Sequence, residues 1–247
     1  MSTFTITDIA ALIAAGLLTV NAIARARGTT CRKSGLLRAN IAMIVVLLFS
    51  ITPIYAAIDP YLGGKSILNL FTHLLMVYTS WEVSHSTITT LNELIDKNRP
   101  WFIHPIVAGI SCAGVLGNYL LLAPNSSRGL EAYDQSFVFV SYWACTLAPL
   151  VLGAIYLVPK LPRILPLVRD ARLITKATVI LLWLAFLGVL FSILGWTVTT
   201  IAPVLYCVRE WVVTTTLFLF TISFFFATAS LPQSVEGQSI RKKATKR

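Results

Sequence analysis

The sequence predicts an all-α, polytopic membrane protein of seven transmembrane helices, with the N-terminus outside and the C-terminus cytoplasmic. Three observations predict it. Of 247 residues, 56% are hydrophobic and 12% are charged, against about 25% charged in an average soluble chain, and the mean hydropathy is +0.77. The apolar residues come in long blocks rather than in a one-sided helical stripe, as expected of helices surrounded by lipid or by other apolar helices. Finally, the 20 Lys and Arg residues segregate to one side when the blocks are threaded through a bilayer.

A hydrocarbon core about 30 Å thick takes roughly 20 apolar residues per helix. Seven stretches qualify: 6–24, 39–57, 67–91, 101–123, 136–158, 177–199 and 204–229. The first lacks a basic leader, carries Asp8 near its start and runs into Arg25, Arg27, Arg32 and Lys33, so it reads as a retained helix rather than a cleaved signal. The second is an apolar block without an ionisable group before Asp59. The third holds most of the polar residues. The fourth opens on Trp101 and His104, residue types suited to the membrane interface, and bears Gly109, Ala113 and Gly117, a small-residue stripe that lets a neighbouring helix approach. The fifth contains Pro149, which removes an intrahelical hydrogen bond and predicts a kink. In the sixth, Gly188 and Ser192 repeat the small-residue spacing. The seventh is interrupted by Arg209 and Glu210 before an apolar run from Trp211 to Ala229. Residues 1–231 thus form one seven-helix domain, and 232–247 a disordered basic tail.

Positive charges near short loops resist translocation. Of the basic residues, 17 lie in the first, third and fifth loops and in the tail, while Lys65 and Arg128 lie on the opposite side and Arg209 near the outer end of the seventh helix. This split gives the orientation and places the protein in a cell membrane as a multi-pass protein. It also accounts for most of the net charge of +10, and no soluble basic domain exists to bind nucleic acid. In the tail, Arg241, Lys242, Lys243, Lys246 and Arg247 are each worth about 1 kcal/mol beside an anionic leaflet, which makes anionic lipid the expected partner. Cys31, Cys112, Cys145 and Cys207 share no outer loop and no Cys-x-x-Cys spacing; free thiols are expected.

Ionisable groups at membrane depth are expensive unless paired or facing a cavity. On the third helix, at about 100° per residue, Tyr78, Glu82, His85 and Thr89 fall on one face and His73, Ser80, Ser84 and Thr87 on the other, which implies protein on both sides. An acid and an imidazole three residues apart can share a proton, a cation or a polar ligand. The same pair can equally be a structural contact that holds the helix in register. Arg209 and Glu210 either snorkel to the outer interface or join His73, Asp59 and Tyr206 around an outward-facing polar mouth.

Several chemistries fail on inventory. Every lysine sits in a loop, the tail or at a helix end, so no lysine is placed for a retinal Schiff base. No Gly-x-Ser-x-Gly, no pair of intramembrane Asp residues and no matched His set for two haems is present, and no nucleotide-binding glycine motif occurs. No metal site, cofactor or catalytic set is expected, and the chain does not read as an enzyme.

One segment carries a resemblance. Ile58-Asp59, Gly63-Gly64, Leu68-Asn69-Leu70 and His73, between the second and third helices, resemble the seven-helix membrane half of a family of uncharacterised actinobacterial integral membrane proteins, sometimes labelled transporters. The resemblance implies no established activity, and it marks Asp59, Asn69 and His73 as polar-site candidates.

The first functional reading is a transporter or membrane sensor that handles a ligand or ion through polar groups of the third and seventh helices. Others are a non-catalytic subunit, partnered with another membrane protein or with itself, and an intramembrane enzyme built on Glu82 and His85. The orientation is directly checkable: single cysteines placed at Lys65 and Arg128 should react with an impermeant thiol reagent on intact cells, and labelling only after permeabilisation would overturn it.

Overall fold

The computed structural model describes residues 6–27, 35–92, 100–124, 137–166 and 173–201, together with Thr215, Leu219 and Ile222. Among them are seven α-helices and no strand: α1 (Ile6–Arg27), α2 (Gly35–Ser50), α3 (Thr52–Ile58), α4 (Ile67–Asn92), α5 (Pro105–Leu122), α6 (Phe137–Leu157) and α7 (Leu173–Ile201). Of these, α5, α6 and residues 176–194 of α7 are long and apolar enough to cross a membrane, and α2 with α3 makes a fourth candidate if the bent pair is one span. The chain is therefore an all-helical membrane protein with three to four candidate spans among its described residues. The expected seventh helix, 204–229, with Arg209 and Glu210, and the basic tail with Arg241, Lys242, Lys243, Lys246 and Arg247, lie outside the described residues.

The expected second span, 39–57, is not one helix. It breaks at Ile51, and α2 and α3 diverge by 82°. The cause is local. Pro53, in the first turn of α3, offers no amide and its ring clashes with a preceding helical carbonyl, so α2 cannot continue through it. Ile51 is extended, at φ −68° and ψ 121°. The exposed amide end of α3 is met from another helix: Asp8 of α1 accepts from the Thr52 backbone N–H at 2.8 Å and from its hydroxyl at 3.0 Å.

From α3 the chain turns through a short 3-10 segment, Asp59–Leu62, and enters α4. Gly63 and Gly64 take left-handed backbone angles in this turn, φ 106° and 64°, which side chains with a Cβ adopt only at a cost. Asp59 is fully buried and accepts from the amides of Ser66 and Leu68 at 3.2 and 3.0 Å, capping the start of α4.

Helix α4 is the central element: α2 packs on one side, α6 on the other, with α5 beside α6, α1 against α2, and α7 against α6. Two apolar cores flank it. One joins Leu18, Leu47, Val83, Ile88, Leu157 and Phe186 across α1, α2, α4, α6 and α7. The second joins Val77 of α4 to Val115 and Tyr119 of α5 and Phe139 and Tyr142 of α6.

Among the described residues, Gly109, Ala113 and Gly117 face away from the other helices, and nothing described stands within 4 Å of a Cβ built at either glycine. Gly114 and Gly153 are the close contacts instead. A Cβ at Gly114 would lie 2.6 Å from Cys145 Sγ, and one at Gly153 would collide with the Ser84 side chain. Regular spacing marks a smooth helix face; only tertiary structure decides whether a neighbour uses it. On α7, the Ser192 hydroxyl donates to the Gly188 carbonyl one turn earlier, at 2.8 Å. Cys112 and Cys145 are half-buried free thiols.

Overpacking a close contact costs about 1–3 kcal/mol. Gly153→Ala should therefore lower the thermal midpoint of the detergent-solubilised chain, while Gly117→Ala should leave it unchanged or raise it slightly; equal midpoints for the two variants would contradict this packing.

Candidate functional site

The polar residues of α4 separate onto two sides, and each side finds partners. Toward α6, the His73 Nδ1 and the Tyr142 hydroxyl are hydrogen-bonded at 2.7 Å, and the imidazole sits edge-on to the Tyr142 and Trp143 rings. Ser84 donates to the Pro149 carbonyl at 3.1 Å. Toward α2, Glu82 meets Arg38, whose Nη2 lies 3.3 Å from Oε1. His73 is thus a buried contact of α4 with α6.

Glu82 does not pair with His85, contrary to expectation. One turn of helix carries the imidazole onto Trp81 instead, where the rings stack at 5.1 Å and 10°. Trp81 is itself held by its indole N–H, which donates to the Ile103 carbonyl at 3.0 Å. Tyr78, one turn before Glu82, lies within electrostatic reach of both members of the Glu82–Arg38 pair.

The seat of Glu82 depends on Gly35. A Cβ there would overlap the carboxylate and crowd the Ser86 hydroxyl, so only glycine lets the first turn of α2 lie directly on the acid. The pair is asymmetric: the Glu82 side chain is 2% exposed and that of Arg38 is 65% exposed. Oε2 of Glu82 is buried and has no partner among the described residues, and Thr89 Oγ1, farther along the same polar stripe, likewise has none among them. A buried carboxylate ordinarily collects several donors. This one has a single long contact.

The remaining candidates have other surroundings. Asp59 serves as a helix cap. Asn69 is half-buried on the first turn of α4. Near them the Tyr119 hydroxyl donates to the Lys65 carbonyl at 2.6 Å, tying α5 to the turn before α4. Arg209 and Glu210 lie outside the described residues, as does Tyr206. Among the described residues, no three His, Cys, Asp or Glu side chains come together as a metal site would require.

Two residues of consequence were not singled out as site residues from sequence. Arg38 counts there only as a loop charge; the signal for its role was Gly35, a glycine three residues earlier at the start of an apolar block. Asp8 reads there only as evidence against a signal peptide, although Thr52-Pro53 inside the next block marks a broken helix whose amides need an acceptor.

No protein-family model matches the chain, and neither a curated protein nor a solved structure matches it.

Among the described residues there are three acids, Asp8, Asp59 and Glu82, and all are buried. Asp8 and Asp59 hold backbone amides, so Asp8→Ala and Asp59→Ala should each cost about 1–3 kcal/mol through orphaned donors. Glu82→Gln orphans only Arg38, which is mostly exposed and stays hydrated. Its effect on the thermal midpoint should be the smallest of the three, and a midpoint loss larger than that of Asp59→Ala would contradict the ranking.

Proposed function

We propose that this chain is a seven-span protein of a bacterial plasma membrane that handles a ligand or ion at the contact of α2 with α4, as a transporter or a membrane sensor. One observation carries the reading: Glu82 is buried with one oxygen on Arg38 and the other without a partner among the described residues. A purely structural pair would satisfy both oxygens, because an unmet acceptor in a low-dielectric site costs about 1–3 kcal/mol. An acid kept buried and under-coordinated has room for a further donor or a cation, and intramembrane acids with that character mark transport and relay sites.

The 17 basic residues gathered on one side support an outside N-terminus and a cytoplasmic C-terminus, and the basic tail is suited to anionic lipid at that face. The likeness of the Asp59–His73 segment to membrane proteins labelled transporters agrees with this reading. Arg209 and Glu210 on the seventh span are the further polar groups assigned to it. His85 enters as a neighbour of the pair, held by its stack on Trp81.

A second reading, a non-catalytic subunit of a larger assembly, is favoured by the outward-facing row Gly109, Ala113 and Gly117, flanked by exposed Ile106, Ile110 and Leu120. Close helix association in lipid uses such smooth faces.

Infrared difference spectra of the reconstituted protein, recorded with sodium or potassium against a bulky organic cation at constant ionic strength, test the first reading. A carboxylate difference band should appear with the small cation and should be missing in Glu82→Gln, which should still express and fold. Identical spectra for wild type and variant would refute it.

A further inference from the structure

Hydroxyls inside this bundle share a habit. Those of Thr19, Thr72, Thr146 and Ser192 each donate to the carbonyl one turn earlier, at 2.8, 2.7, 3.0 and 2.8 Å, the local bond open to a helical hydroxyl that has no water beside it. Thr79 and Thr89 depart from it: each Oγ1 is buried and has no partner among the described residues. Thr89 lies two turns beyond Glu82, about 10 Å along the axis, too far to share one ion with it. Thr79 lies one turn before Glu82 and is 1% exposed. Residues three apart occupy one face of a helix, and a long helical side chain leans back over the turn before its own Cα. The buried Oε2 of Glu82, also without a partner among the described residues, and the Thr79 hydroxyl therefore belong to the same turn, and they do not hydrogen-bond to each other.

A carboxylate and a hydroxyl are hard oxygen donors, suited to alkali and alkaline-earth cations. One carboxylate balances one positive charge; a divalent ion would leave an excess beside Arg38. The charge now on Glu82 is loosely held. Arg38 makes a single 3.3 Å contact to Oε1, and its side chain is 65% exposed, so it can withdraw without being stranded in a buried site.

We propose that Glu82 and the Thr79 hydroxyl bind a small monovalent metal cation, and that Arg38 is the occupant this cation displaces. The proposal rests on the reading of Glu82 given above and adds the class of ion, a second ligand and a competitor. The exchange replaces one positive charge with another at the carboxylate. Its structural consequence follows from where the groups stand: Arg38 belongs to α2, whereas Glu82 and Thr79 both belong to α4. Binding therefore trades a tie between α2 and α4 for one within α4, which couples the ion to the α2–α4 contact.

The test uses the full chain in detergent, with sodium chloride replacing N-methylglucamine chloride at constant ionic strength and pH, and the thermal midpoint as the readout of binding. Sodium should raise the midpoint of the wild type, and Glu82→Gln should abolish the rise. Thr79→Val should weaken the apparent sodium affinity about tenfold, the loss of one contact to a charged group. Thr79→Ser should restore it, and Thr72→Val, which removes a back-bonded hydroxyl, should match wild type. Arg38→Gln should tighten sodium binding about tenfold, because the competitor is gone. Should Glu82→Gln not fold, Thr79→Val against Thr79→Ser decides the matter. A sodium effect that Thr79→Val leaves unchanged, one that Arg38→Gln weakens, or no sodium effect in wild type overturns the proposal. In each of those events, a Glu82 carboxylate band that still responds to the small cation leaves the reading of Glu82 as an ion site standing, and a missing band removes both.

Discussion

Burying a carboxylate costs several kcal/mol unless donors meet it, and this fold is arranged around meeting that cost at helix ends. Asp8 and Asp59 sit where α3 and α4 begin, so the charge is offset by amides that would otherwise be orphaned by the same burial. Each acid fixes one junction of the fold. Asp8 binds α1 to the start of α3, and Asp59 fixes the angle at which the chain leaves α3 and enters α4. Remove the Asp8 contact and the Thr52 amide at the break between α2 and α3 loses its acceptor among the described residues.

The central helix uses polar contacts on both faces because lipid supplies no hydrophobic force to press helices together. On one face Ser84 and His73 reach the Pro149 carbonyl and the Tyr142 hydroxyl of α6. Pro149 matters in this light less as a kink than as a carbonyl presented to a neighbour. On the other face Glu82 lies on the first turn of α2. Both faces need a glycine to close: Gly153 admits Ser84, and Gly35 admits Glu82. These glycines place the polar groups within reach, and so determine which of them become partners.

Helix positions were legible in the sequence because the length of an apolar run measures a span directly. The expected 67–91 and 136–158 are α4 at Ile67–Asn92 and α6 at Phe137–Leu157. Contacts between helices were less legible. Hydropathy averages across Thr52-Pro53, so one span was read where two helices stand 82° apart, although the proline was in plain view. The row Gly109, Ala113, Gly117 reads as a packing face from its spacing, but spacing gave no sign of the close contact found at Gly114, one residue round the helix. That Glu82 faces protein followed from the cost of exposing it. That its partner is Arg38 and not His85 depends on the register of α2 against α4, which helical periodicity within α4 does not contain.

The cap on α3 also bears on how the chain is made. Asp8 is synthesised 44 residues before Thr52, whose amide it accepts from. At about 5–20 residues per second, the ribosome leaves that carboxylate without its partner for roughly two to nine seconds, while α1 and α2 are already emerging. Glu82 has the opposite history, since Arg38 precedes it by 44 residues and is waiting when it appears. The contact that joins α1 to α3 therefore closes only after α2 has been made, whereas the one that joins α4 to α2 can close as soon as Glu82 emerges.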